Sequence, residues 1–460
     1  MIEAGYGERS ITPRRPLELA GVGGAPRAGS VDGAAGGDEL KVRAAALRHD
    51  AQTLVLLSFD LLYLSRDLCD GLEEWLAENH GIPGENLFPC ATHTHGAPLI
   101  LDVFFDTPTV DGEYLNAVED AARQALDEAL NDFAPASMSY GAAETSLSIN
   151  RRALRLDRSA LKLGLISRQI LNRPNASGPV DNNVYSLRLM REAGNGGDIV
   201  IVCVGCHPSI MRDNHVSADF PGRIEDQLTQ QGATAKVVFV QGFSGDTRAR
   251  LAEAAPFAVW PPSRLFNWLF DRHRFRKDSD TNDADNVAGR IAEALTTTDY
   301  TLISKPNFSA CKATASLPLE ALAPVSEFEQ AAADGKPGDP SARMNRYVFE
   351  NYNAMSSLAF RLRRWALSDE LQIIGFEGEM FSEYAHWLGQ DIQNGAVMNI
   401  PASCVGGMVG YIPTTASLDL GGYEVDRSRP LFGIPARFSK AAEGELKAAV
   451  HALLPSQDSA

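Results

Sequence analysis

The chain has 460 residues, of which 44% are hydrophobic and 22% charged, and its formal net charge is −17. That composition suits a globular protein with enough chain for a large core. The acidic balance, with no run of Lys or Arg, argues against a nucleic-acid groove or an anionic membrane patch. The N-terminal MIEAGYGERSITPRRP has no basic segment followed by an apolar one, so no signal peptide and a cytoplasmic location are expected. The longest apolar run, Thr53 to Leu64, is broken by Asp60 and is too short to span a bilayer.

In chain order, the patterns predict a strand over Thr53–Asp60, a helix over Ser65–Asn79, a strand over Asn86–Ala91 and a helix over Gly112–Asn131. Strands follow at Val184–Met190 and Asp198–Cys206, then a helix at Phe220–Gln230 and a strand at Ala235–Gln241. A helix is predicted at Asn286–Thr296, a strand at Ala310–Ser316 and a long helix at Ala342–Trp365. Strands at Leu371–Phe376 and Val397–Cys404 and a helix at Ser439–Leu454 complete the chain. Several strands are continuous apolar runs, which suits strands covered on both faces. The expectation is an α/β fold: one large catalytic domain over 1–460, with mixed β-sheets flanked by helices. Residues 254–286, first aromatic and Pro-rich and then polar, read as a surface insertion with a mobile end. Residues 320–341, rich in Ala, Pro, Gly and Asp, read as a surface loop. The glycine cluster AGVGGAPRAGSVDGAAGG lacks the spacing of a dinucleotide fingerprint and reads as a loop.

Cys203-Val-Gly-Cys206-His207 matches the haem-attachment pattern. It lies on a strand-like run, however, where two residues so placed point to opposite faces. A haem is therefore not expected, and a reduced, cytosolic state suits the six cysteines. His207 alone fits a strand-end histidine satisfied by the backbone. A second strand ends at Ala91 and runs into Thr92-His93-Thr94-His95-Gly96. In extended backbone His93 and His95 would face one cavity, and imidazole is the commonest zinc ligand. With His207, three strand-end histidines could converge at one sheet edge, where α/β proteins place their sites. A hydrolytic zinc site needs a further ligand. Glu377, Glu379 and Glu383 are all candidates by pattern. The sequence holds no H-E-x-x-H, G-x-S-x-G or phosphate-binding G-x-x-x-x-G-K.

Taken in order, these segments resemble the catalytic domain of the neutral/alkaline (non-lysosomal) ceramidases. Ala91-Thr-His-Thr-His95-Gly-Ala-Pro98 resembles that family's A-T-H-T-H-S-G-P, and Asn150-Arg151 its N-R. Gly205-Cys-His207-Pro-Ser-Ile-Met211 resembles V-H-P-T-S-M, and Ser217-Ala-Asp219 its S-G-D. Gly378-Glu379-Met380 resembles G-E-F-T. Tyr411-Ile-Pro-Thr-Thr415 and Tyr423-Glu424 resemble Y-V-T-T and Y-E-G-A, with the spacing kept. The resemblance runs from about residue 5 to 454 and implies a large α/β domain around one Zn2+.

By that resemblance, His93, His207, Glu379 and Tyr411 would be the metal ligands. His95, Arg151 and Tyr423 would be the catalytic residues around the reacting amide. Asp60 and Asp219 are candidates for orienting the histidines. The implied activity is zinc-dependent hydrolysis of a small-molecule N-acyl substrate, a lipid among the candidates. Two departures stand out. Arg248 takes the position of a family serine assigned a catalytic role, where it could bind a carboxylate or phosphate on a more polar substrate. The other concerns the end of the sequence: it closes on a helix resembling the end of the family's catalytic domain, so the family's C-terminal β-sandwich domain is expected to be absent. The alternatives are a zinc hydrolase for an ester or small polar amide, and a metal-binding protein with a decayed site.

Overall fold

Continuous apolar runs become strands because both of their faces are covered. The computed structural model describes residues 1–19, 27–31, 38–101, 110–156, 167–192, 197–253, 273–335, 340–392 and 397–454. Its largest sheet runs Ala235–Gln241, Asp198–Val204, Asn183–Arg191, Ala134–Glu144, Ile2–Ser10, Lys41–His49, Gln52–Phe59, Leu87–Ala91, with Thr301–Leu302 paired to Ala134–Glu144. The interior pairs are antiparallel, but each end is a parallel pair: Val204 lies opposite Gln241, and Phe59 opposite Ala91. The sheet coils until its ends approach, and Ser58 Oγ donates to Phe239 O.

A second sheet runs Pro306–Pro318, Ser357–Ser368, Leu371–Phe376, Met398–Ala402, with the last pair parallel. The two sheets share a core in which Leu54, Leu56 and Phe88 meet Trp365, Ile373 and Ile400. On the other face of the large sheet, Val55 and Leu57 pack against the helices Arg66–His80 and Gly112–Asn131. The helices Ile224–Gln230 and Thr281–Thr297 cover Val202 and Phe239. The helix Ala442–Leu453 backs the second sheet. The result is the expected mixed α/β architecture. Local chemistry fixes the helix ends: the Ser65 side chain accepts from Leu68 N, Asp111 accepts from Tyr114 N, and Gly81 closes the first helix at φ 67°.

Three expectations need correction. Ala342–Trp365 is not one helix: Pro340–Asn351 is helical, and Ser357–Ser368 is a strand between two partners. The stretch 320–341 is not a plain loop, because Val325–Asp334 is a helix. The polar end of the 254–286 stretch is not all loop: Arg274–Phe275 is a short strand, and the helix Thr281–Thr297 starts there under a reciprocal cap from Asp280 and Asp283. Residues 254–272 of that stretch, and most of the glycine cluster, lie outside the described residues.

Candidate metal centre

The parallel strands converge with their C-terminal ends at one place. Leu87–Ala91 delivers His93 and His95, and Asp198–Val204 delivers His207. Leu371–Phe376 leads into Glu377–Glu379, and Met398–Ala402 into Cys404. Glu379 and Tyr411 then face each other as register partners in a short parallel ladder, Glu379–Met380 with Tyr411–Ile412. This placement at the carboxyl ends of strands is the one sheet topology favours for sites.

The three histidines do converge, but not by strand alternation. His93 has φ 66°, so the chain turns there instead of continuing extended. Backbone bonds from His93 N to Leu61 O (2.9 Å) and from His95 N to Pro208 O (3.2 Å) fix the turn. Ring centroids lie 5.3 Å apart for His93–His95, 4.6 Å for His93–His207 and 4.9 Å for His95–His207. All three side chains are buried, and the group can hold a metal ion, with the ligating atoms within 4.8 Å of one another. His93 Nδ1 donates to Leu62 O at 3.0 Å, which leaves Nε2 facing the cluster. That Nε2 lies 3.2 Å from Glu379 Oε2. Both atoms are buried and have no hydrogen-bond partner among the described residues. An imidazole nitrogen and a carboxylate oxygen so close need a cation between them, a proton or a metal ion. The donor set, imidazole nitrogens with a carboxylate, suits zinc.

The electrostatics agree. Burial opposes charge on His93, yet Cys404 and the Glu379 carboxylate overcome it and hold its pKa well above the usual value. Burial, helped by the His93 charge, drives His207 well below it, so that ring stays neutral. Its Nε2 sits 2.8 Å from His95 Nε2. Burial and the Glu379 carboxylate push the Tyr411 phenol well above its ordinary value.

Arg151 and Tyr423 surround Tyr411. The Arg151 guanidinium lies 5.5 Å from the Tyr411 ring centre, and the Tyr423 ring lies 5.9 Å from it. Two Arg151 donors are already engaged, Nε to Glu424 Oε1 at 2.9 Å and Nη2 to Gly245 O at 2.7 Å. Among the described residues, no hydrogen bond joins Asp60 or Asp219 to a histidine ring. Asp60 accepts from Arg43 Nη1 and Lys41 N. Asp219 accepts from the backbone N–H groups of Ile210, Met211 and Phe220, at 2.8, 2.9 and 2.7 Å. It thereby shapes the loop after His207. Cys203, on the strand Asp198–Val204, and Cys206, two residues past its end, lie in different apolar clusters.

Sequence reasoning gave no site role to three neighbours. Tyr63 donates to Glu379 Oε1 at 3.2 Å, and its ring lies 5.5 Å from His93. In FDLLYLS it looks like any core aromatic. Cys404, at φ 58°, sits against His93. Glu424 holds both Arg151 and Arg152. A cavity of 640 Å³ beside Ile11, Arg15 and Tyr114 shares no residue with this centre.

A coiled mixed sheet packs against a second sheet, with buried histidines and a carboxylate at their shared edge, an arrangement of the α/β class. In particular, the fold is that of neutral ceramidase. The crystal structure of neutral ceramidase from Pseudomonas aeruginosa matches with a TM-score of 0.65 at 14% identity, over 100% of this chain and 76% of that one. A ceramidase complexed with C2 matches with a TM-score of 0.64, again at 14% identity and over 100% and 76% of the two chains. No protein-family model matches the chain, and no curated protein matches it. Among the described residues no helix is long and apolar enough to cross a membrane.

Proposed function

We propose that the chain is a zinc-dependent hydrolase that cleaves an N-acyl amide bond, as the ceramidases do. The observation that carries this reading is the pair of buried, unpartnered atoms His93 Nε2 and Glu379 Oε2, 3.2 Å apart beside His207. The fold shared with neutral ceramidase supports it. His93, His207, Glu379 and Tyr411 would hold the ion. When bound, zinc polarises the scissile carbonyl and acidifies a water.

The rest of the chemistry belongs to the chain. His95 takes the proton of the attacking water on Nε2 and returns it to the amide nitrogen as the C–N bond breaks. The products are a carboxylic acid and an amine, so one water is consumed. The Arg151 guanidinium and the Tyr423 hydroxyl hold the carbonyl oxygen as it gains negative charge. Glu424 and Gly245 O keep Arg151 in place for this task. Burial of the cluster strengthens each of these electrostatic contacts.

The test is fatty-acid release from a short-chain ceramide by protein loaded with one equivalent of zinc, against the same protein stripped by chelator. Release that depends on zinc is expected. Full activity in the stripped protein, or in His207→Ala, sinks the reading. A second reading, the same centre acting on a polar amide or an ester, is favoured by the cation at Arg248. No release from ceramide by a protein that binds zinc tightly selects it.

A further inference from the structure

Among the described residues, the fully buried arginines each hold a carboxylate. Arg43 meets Asp60, Arg363 meets Glu73, and Arg151 and Arg152 share Glu424. The same holds for Arg191 and Arg223. Arg248 has no such carboxylate among the described residues. It is half-buried, its guanidinium lies over the Phe275 ring at 4.3 Å, and no described side chain gives it a hydrogen bond or an ion pair.

Its position ties it to the metal centre. Thr247 pairs with Asn150 and Arg248 with Ile149, which brings Arg248 in beside the Asn150–Arg151 segment. It is close enough to His207 for its charge to lower that ring's pKa. Burial, then the positive charges of Arg212 and Arg151, drop Arg248 itself to about 8. A guanidinium does not surrender its proton at neutral pH. The depression therefore measures a charge that costs free energy until an anion meets it.

We propose that Arg248 binds an oxyanion, a carboxylate or phosphate, carried by the substrate close to its scissile bond. The preferred substrate is then an anionic N-acyl compound such as an N-acyl amino acid, not a neutral N-acyl amino alcohol. A planar fork on an aromatic platform presents paired donors to such a group, whereas a neutral hydroxyl leaves the cation uncompensated. This inference rests on the hydrolase reading above for its reaction, but not for its binding site.

The test compares kcat/KM of the zinc-loaded full chain on N-lauroylglycine, N-lauroylethanolamine and the O-phosphate of the latter. The wild type is expected to prefer the anionic compounds, and the better of the two identifies the oxyanion. In Arg248→Gln the anionic-to-neutral ratio is expected to fall roughly tenfold to a hundredfold, the range for a charge-assisted contact. The thermal unfolding midpoint of this variant, which removes an uncompensated charge, is expected to stay level or rise. Arg248→Lys keeps the charge and loses the fork; an intermediate ratio is expected, and it carries the comparison should the glutamine variant not fold. An unchanged ratio overturns the inference and leaves the hydrolase reading standing. If no N-acyl compound is cleaved, that reading fails, and calorimetric titration of the metal-free protein with N-lauroylglycine decides the inference alone. Weaker binding in Arg248→Gln by the same factor upholds it. Equal affinity, or no binding by the wild type, overturns it.

Discussion

His93 Nε2 and Glu379 Oε2 lie 3.2 Å apart, 286 residues of chain separating them, with neither atom satisfied by another group among the described residues. In the metal-free protein a proton is the cation between them, because the neighbouring Cys404 and Glu379 hold the His93 pKa well above its ordinary value despite burial. A metal ion must displace that proton. At least one proton per ion is therefore expected to leave on zinc binding at pH 7, with a second when Tyr411 binds as its phenolate. Calorimetric titration in buffers of different ionisation enthalpy counts them. No release would show that the pair is not the binding locus. Glu379→Ala is expected to weaken binding by at least about a hundredfold, since loss of a mere supporting group already costs up to that factor.

Much of the frame was legible from residues alone. The run AKVVFVQ is a strand, and GEYLNAVEDAARQALDEALN is a helix over the range its period predicts. The strand Ser357–Ser368 was not. Its Arg361 and Arg363 alternate with Phe360 and Leu362, but Arg363 is drawn inward by the buried Glu73, while Arg361 pairs with Asp70 nearer the surface. Arg, Leu and Ala are helix formers, so tertiary pairing overrode local preference and hid the period of two. The histidine cluster was legible as three strand ends. The reason it closes, the left-handed turn at His93, has no sequence signal beyond the enrichment of His in that region. Glu379 was one of several acids by pattern, and Tyr63 and Glu424 could be found only once the chain had brought them across the sheets.

Glu424 illustrates what the hidden groups do. Its carboxylate takes Arg151 Nε at 2.9 Å and Arg152 Nη1 at 2.6 Å, all three side chains being buried. Glu424→Ala leaves two buried cations without their carboxylate. A loss of about 3–5 kcal/mol is expected, seen as a lower urea midpoint with an unchanged slope. A change below about 1 kcal/mol would mean that solvent already compensates the pair.

Asp219 gives a pH dependence with a definite sign. Burial pushes its carboxyl up to about 6, against the pull of three backbone N–H donors. The folded chain then binds this proton more tightly than the unfolded chain does. The associated stability is fully present below the ordinary carboxylate range, near pH 4, and is lost as pH rises through about 6. Between pH 4 and pH 7, the unfolding free energy of the wild type is expected to fall relative to Asp219→Asn by on the order of 3 kcal/mol. Denaturant titrations of both proteins across that window measure it. Parallel curves would show that the N–H donors win and that Asp219 is ionised throughout.

Gly245 tests whether the centre depends on close backbone approach. A Cβ there would lie 2.6 Å from Glu379 O and 3.0 Å from Met380 O, and neither backbone atom can swing aside as a side chain could. Gly245 N also donates to Met380 O at 2.8 Å, so the two segments are tied at this point. Gly245→Ala must force the Gly245 and Glu379 segments apart while leaving every candidate ligand in the sequence. Zinc affinity is expected to drop roughly tenfold to a hundredfold, the range seen when supporting groups rather than ligands are lost. Competition with a chromophoric chelator reads this directly. Gly71→Ala, with nothing within 4 Å of the added carbon, is the control: it sits mid-helix and is expected to raise stability by roughly 0.5–1 kcal/mol without touching metal affinity. Equal zinc affinity in the two variants would mean that Glu379 is not held in place by this contact, and would remove the backbone clamp from the account of the site.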